Sequence, residues 1–233
     1  MKLLTTALAS MLFATTPLAA QPPRPAADVA RDASRKPTEM VTFAKIAPGK
    51  KVADFLPGGG YFTRIFAAAV GSGGKVIAVI PPARRQADPA AARTLDEMAG
   101  AGLPQVSVAA ELGPDLAGTL DVVWTAQNYH DLYGSLSPEQ VAGFNRNVFA
   151  SLKPGGYYVI IDHADNPGSG IADVKTLHRI EGARVKADVV AAGFVLDGES
   201  TVLANPADTH TLSVFDPAIR GRTDQFAYRF RKP

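Results

Sequence analysis

The chain of 233 residues contains no cysteine. That absence excludes a disulfide scaffold, a thiolate nucleophile, and any zinc or iron–sulfur site resting on cysteine ligands. It also leaves no thiol at risk on export. A charge excess of one sign is lacking too: 24 Lys and Arg stand against 22 Asp and Glu, a formal +2. Nucleic-acid domains usually carry a strong basic excess, so the near-balance argues against a bulk polyanion binder. What is present is core material. Hydrophobic residues make up 46% and charged residues 20%, which suits a globular chain rather than a disordered one, and the length suits one large domain.

Met1-Lys2 is followed by an apolar run from Leu3 to Phe13, then by small residues up to Ala20. A positive start, an apolar stretch of about 7–15 residues and small residues before a polar stop make a secretory signal. The run falls short of the roughly 20 apolar residues that span a bilayer, which opposes an uncleaved anchor. The expected organisation is a signal peptide over 1–20, a Pro-rich linker over 21–27 and a single domain over 28–233. With no cysteine at the junction a lipoprotein anchor is excluded. The expected location is the periplasm, with no stable membrane insertion after cleavage.

Residues 28–47 suggest one or two short helices interrupted at Pro37. An alternation follows. Strands are expected at Lys51–Leu56, Lys75–Ile80, Val106–Ala110, Leu120–Thr125 and Tyr157–Asp162. Helices are expected at Tyr61–Val70, Ala90–Ala99, Pro138–Ser151 and Arg184–Ala192, the third capped by Ser137 with Pro138 at its first position. Phe194–Leu196 and Gln225–Arg231 close the chain as a pair of strands. Continuously apolar strands alternating with helices indicate an α/β fold with a doubly wound, mainly parallel sheet. The final pair suggests an antiparallel edge.

In such a sheet the ligand sits at the carboxyl ends of the strands. The first strand–turn–helix, VADFLPGGGYFTRIF, is therefore the default binding site. As a dinucleotide fingerprint it fails: Gly58 and Gly60 are present, but Thr63 stands where the third glycine belongs.

Taken together, the segments resemble a class I S-adenosylmethionine-dependent methyltransferase. The resemblance covers about residues 40–230. The family's acidic-x-Gly-x-Gly-x-Gly motif matches at Asp54, Gly58 and Gly60. An Asp followed by apolar residues and a polar loop matches Asp121 through His130, and the Leu-Lys-Pro-Gly-Gly turn is matched in full at Leu152–Gly156. More narrowly, GGGYFTR, QNYHDL, DHADNPGSG, TLHRIE and NPADTHTLSVFDPAIRG are similar to a group of bacterial methyltransferases carrying signal peptides. The resemblance implies a seven-stranded Rossmann-like sheet and S-adenosylmethionine as cofactor. It implies cofactor contacts at Asp54, Pro57, Gly58, Gly59, Gly60, Glu111, Gln127 and Asn128. Two departures stand out: Leu56 replaces the motif's first glycine, and Ile80 stands where an acid usually binds the ribose hydroxyls.

Methyl transfer needs a general base only if the acceptor carries a proton at neutral pH. His130 with Asp131 is the candidate base and orienter, a loop cap being the competing reading. Acceptor contacts are expected at His163, His178, Arg179 and His210. A structural donor role competes for His163, and a solvated surface pair competes for His178-Arg179. The long Asn205–Arg222 connection that carries His210 reads as a lid. Tyr61, Phe62 and Tyr129 are candidates for an apolar pocket wall, Phe62 reading better as core. A metal site from these histidines with Asp131 or Asp162 is the less favoured alternative: no tight ligand spacing supports it, and no metal is expected. The expected function is methyl transfer to a small-molecule acceptor. The alternative is a catalytically silent exported binding module. A nicotinamide-dependent oxidoreductase is disfavoured by Thr63 and Ile80.

Overall fold

The computed structural model describes residues 23–233, so the expected signal peptide lies outside the described residues. Three short helices come first: α1 (Ala26–Val29), α2 (Asp32–Arg35) and α3 (Pro37–Phe43). Pro37 opens α3 rather than merely interrupting a helix. Its fixed φ suits a first helical position, and Lys36 before it turns the chain through a left-handed φ of 46°. The stretch expected as linker is not wholly free of the domain. Arg24 pairs with Asp32 at 2.7 Å, and Tyr61 donates its hydroxyl hydrogen to the same carboxylate at 2.6 Å. The guanidinium groups of Arg24, Arg31 and Arg35 surround the Tyr61 ring at 4.8–5.1 Å from its centre.

The alternation then runs β1 (Lys51–Phe55), α4 (Tyr61–Val70), β2 (Lys75–Val79), α5 (Pro82–Ala87), α6 (Pro89–Glu97), β3 (Val106–Ala109) and β4 (Leu120–Ala126). It continues with α7 (Tyr129–Ser135), α8 (Pro138–Ser151), β5 (Leu152–His163), α9 (Gly182–Ala191), β6 (Val195–Ser200) and β7 (Gln225–Arg231). Seven strands form one sheet in the order β3-β2-β1-β4-β5-β7-β6. Strands β1 to β5 pair in parallel, whereas β7 lies antiparallel to both β5 and β6. The reversal of strand order between β1 and β4 is the switch point at which ligands collect in open α/β sheets.

Each sheet face carries its own apolar layer. Phe62, Phe66, Leu95 and Trp124 pack on one side with α3, α4 and α6. Val123, Leu132, Val148, Tyr158 and Val185 pack on the other with α7, α8 and α9. The helix α8 starts as its sequence predicts, with a reciprocal cap between Ser137 and Gln140. Local expectations differ in places: α5 stands where no helix was expected, and β6 runs to Ser200 rather than ending at Leu196. β5 begins at Leu152, not Tyr157, because the Lys-Pro-Gly-Gly turn continues as extended chain: Leu152 pairs with Leu120, and Gly155 and Gly156 bond to Lys232. The polar stretch after β4 is helical from Tyr129, because Tyr129, Leu132 and Tyr133 are apolar enough to bury one face. Among the described residues no helix is long and apolar enough to cross a membrane.

Candidate functional site

A cavity of about 820 Å³ opens at the carboxyl ends of β1, β2 and β3, beneath α7. Small-molecule sites fall at about 300–1,000 Å³. Its walls are mainly apolar. Leu56 follows β1, Pro81 and Pro82 follow β2, and Leu132 comes from α7. Its polar groups include Glu111 after β3, Arg84 on α5, Asp131 and Ser135 on α7, Asn147 on α8, and Lys175 and His178 from the segment after β5.

The turn after β1 is left-handed at three positions, one of them not a glycine. Leu56 adopts φ 55°, a left-handed conformation natural to glycine, as do Gly58 at 54° and Gly60 at 78°. Asn128 holds this geometry by donating its amide hydrogens to the carbonyls of Leu56 (3.1 Å) and Ala126 (2.7 Å). A Cβ at Gly60 would run into the Met98 methyl, the movable end of a flexible side chain, so the need for glycine there rests on its positive φ. Behind the turn Asp54 is buried and accepts a hydrogen bond from Thr63 at 2.7 Å. Burial pushes its carboxyl up to about 7, against the opposing pull of Thr63 and of the Arg35 charge.

His130 is the second residue of α7. Asp162, at the end of β5, accepts its backbone N–H at 2.7 Å and lies 2.7 Å from its ring Nδ1. An ionised carboxylate can only accept, so Nδ1 carries the hydrogen and Nε2 is turned away. The segment after β5 loops out and returns, with Glu181 accepting the N–H groups of Gly168 and Gly170 and Ile180 bonding back to His163. That return sets His178 beside His130, with Nδ1 3.3 Å from His130 Nε2. His178 itself sits at φ 56° and meets the ring of Phe215 edge-on at 4.7 Å. Asp131 Oδ1 lies 3.3 Å from His130 Nε2 and 3.6 Å from His178 Nδ1.

Several expected contacts are corrected. Burial pulls the His130 imidazolium down, but Asp162 and Asp131 outweigh it and lift the ring to about 10. It is charged at neutral pH and is not a free base. His163 is buried, lies 2.7 Å from Thr223 Oγ1 and is pushed down to about 4, chiefly by desolvation. That suits the structural reading. Arg179 is neither an acceptor contact nor solvated. It is fully buried, paired with Asp208 at 2.9 Å and bonded to the carbonyls of Leu212 and Ala164. This pair also pins the Asn205–Arg222 connection, whose His210 lies 3.0 Å from Asp224, so the segment is fastened rather than a loose lid. Gln127 faces Arg35 and Gln225 in a small separate cleft, and Asn128 is spent on the clip described above. Gly58 and Gly59 are exposed, Pro57 is half-buried, and these three with Gly60 shape the turn rather than the main cavity wall. Tyr129 is wholly buried with its hydroxyl accepting from Asn145, and Tyr61 and Phe62 are core.

Of the expected residues, the structure brings Glu111, Asp131 and His178 to the cavity, with His130 directly behind them. Sequence reasoning missed Arg84 and Leu112 as cavity residues and the grip of Asp162 on His130. The dipeptide Asp162-His163 at a strand end was a signal, but its partner in α7 is a long-range fact. Ile80 is buried in the apolar layer, so the place of the usual ribose acid holds no polar group.

No family model and no curated protein matches the sequence. Solved structures do match. The chain is similar to an S-adenosylmethionine-dependent methyltransferase from Aquifex aeolicus at 17% identity, covering 88% of this chain and 93% of that one with a TM-score of 0.61. It is similar to the [4+2]-cyclase SpnF at 16% identity, covering 86% and 81% with a TM-score of 0.60. A third structure, described as a possible exported protein from Bordetella parapertussis, matches at 16% identity over 88% and 68% with a TM-score of 0.53. Strand order, antiparallel β7 and these neighbours agree: the chain has the fold of the class I S-adenosylmethionine-dependent methyltransferases.

Proposed function

We propose that the protein is an S-adenosylmethionine-dependent methyltransferase acting on a small molecule in the periplasm. The observation that carries this reading is the cavity itself, mainly apolar, with Glu111, Arg84, Asp131 and His178 among its polar groups. Its position at the switch point, its size and the left-handed backbone at residues 56, 58 and 60 suit the cofactor. The missing acid at Ile80 is the one feature that does not, and it weakens the ribose contact without blocking the space. Fold alone leaves the reaction open, as the cyclase among the neighbours illustrates.

The cofactor, when bound, supplies a methyl group on a positively charged sulfur. The chain's own residues do the rest. Leu56, Leu112 and Leu132 exclude water from the apolar end. Glu111 offers a carboxylate acceptor after β3. Asp131, held below the usual carboxylate range by His130, His178 and Arg84 despite burial, presents an anionic acceptor that can aim an O–H or N–H nucleophile. Positioning and water exclusion account for most of the rate in an in-line displacement of this kind.

Thermal unfolding with S-adenosylmethionine, S-adenosylhomocysteine and NAD tests the reading. Either sulfur nucleoside at 100 times its dissociation constant should stabilise the protein by about 2.7 kcal/mol. Stabilisation by NAD alone would contradict it. Export is supported by the Met1–Ala20 pattern. N-terminal sequencing of the protein from its native host should start at Gln21 or within a residue or two, and retention of Met1 would refute it.

A further inference from the structure

We propose that His130, Asp131 and His178 form a binding site for one zinc-like divalent transition-metal ion at the cavity wall. The three ligand atoms are His130 Nε2, Asp131 Oδ1 and His178 Nδ1, all within 4.8 Å of one another. Their separations are 3.3, 3.3 and 3.6 Å. The His178–His130 contact at 3.3 Å is a long hydrogen bond, and the other two separations are no shorter. All three match a ligand polyhedron. With metal–ligand bonds of about 2.0–2.1 Å, two ligands of a tetrahedral ion stand about 3.3 Å apart. The three atoms are therefore one face of a tetrahedron, already spaced for an ion.

Three further observations point the same way. Asp162 takes the Nδ1 hydrogen of His130 at 2.7 Å, which aims Nε2 at the cluster, where the ion takes the place of the proton that Nε2 holds without it. A carboxylate behind a ligating histidine is the usual supporting arrangement for such ions. His178 reaches the cluster from a left-handed backbone position, unfavourable for a residue with a Cβ, and Phe215 holds its ring. Asp131 and His178 both line the cavity, so the fourth position opens to it. Asp131 and Asp162 supply two negative charges against the two positive charges of the ion.

Two imidazole nitrogens and one carboxylate oxygen select a transition metal. Magnesium and calcium prefer all-oxygen sites with six or more ligands. The open position would take an oxygen or nitrogen of a small molecule in the cavity. The existence of the site rests on the donor geometry alone, and only its use in methyl transfer rests on the function proposed above.

The test is metal analysis and calorimetric titration of chelator-stripped protein with zinc, in the absence of any nucleoside. Wild type should take up one zinc per chain, and cobalt in its place should give the intense visible absorption of a tetrahedral site. His178→Ala and Asp131→Asn should each weaken zinc binding at least 100-fold, and His210→Ala, which alters a histidine paired elsewhere, should not. Circular dichroism of each variant guards against misfolding, and His178→Asn serves as a milder substitute should His178→Ala not fold. No uptake by wild type, or unweakened uptake by folded His178 and Asp131 variants, would overturn the site. Because nucleoside binding is measured separately, loss of either result leaves the other standing.

Discussion

Asp162 holds His130 at two points, accepting its backbone N–H through Oδ2 and facing its ring Nδ1 through Oδ1, each at 2.7 Å. One carboxylate at the end of β5 thus fixes both the start of α7 and the direction of an imidazole. Asp162→Asn removes the charge while keeping the shape. The His130 titration, followed by NMR, should then fall from about 10 toward the ordinary histidine range. An unchanged midpoint would mean that Asp131 alone holds the proton.

Asp54 predicts a pH dependence of stability. Burial holds its folded carboxyl at about 7, against an ordinary value of 3.8. Between those values the folded state keeps a proton that the unfolded chain releases, so stability is fully present below about pH 4. It is lost as pH rises to about 7 and stays lost above. The cost at high pH is on the order of 4 kcal/mol. Asp54→Asn should flatten this slope, so urea unfolding should show the variant gaining on wild type from pH 5 to pH 8. A constant difference would show that Asp54 is ionised throughout.

Leu56 carries a side chain at a left-handed position and also lines the cavity. Leu56→Gly relieves about 1–2 kcal/mol of backbone strain, while losing part of a half-buried side chain's packing and adding chain entropy. Denaturation should therefore change by no more than about 1 kcal/mol. Affinity for S-adenosylhomocysteine should rise, because the side chain leaves the cavity. A loss of about 2–5 kcal/mol would instead mark Leu56 as core.

Arg179→Ala leaves Asp208 buried without its cation. Breaking one half of such a pair costs about 3–5 kcal/mol, far more than the roughly 0–1 kcal/mol of a surface pair. Chemical denaturation reads the difference directly. A loss below about 1 kcal/mol would show that the connection from 205 to 222 is not fastened by this pair.

The parallel part of the sheet was legible because its strands are largely apolar and buried and their turns are marked by Pro and Gly. The helices α4 and α8 and the strand β7 fall where their patterns place them. The sequence was silent where tertiary contact overrides local pattern. Tyr129-His130-Asp131 looks polar, yet Tyr129 and Leu132 bury a helical face there. Arg179 looks like a surface residue until Asp208, 29 positions away, is seen to neutralise it. The candidate site was half visible. Strand ends located Glu111 and His130, but no spacing in one dimension announces that His178 returns across 48 residues to meet His130.

The proposed S-adenosylmethionine site is the cavity between Leu56 and His178, and calorimetric titration with S-adenosylhomocysteine tests it directly. One molecule should bind per chain, and Leu112→Trp, which fills the apolar end, should abolish binding while the fold persists by circular dichroism. Absence of binding to wild type, or equal binding to folded Leu112→Trp, would contradict the account.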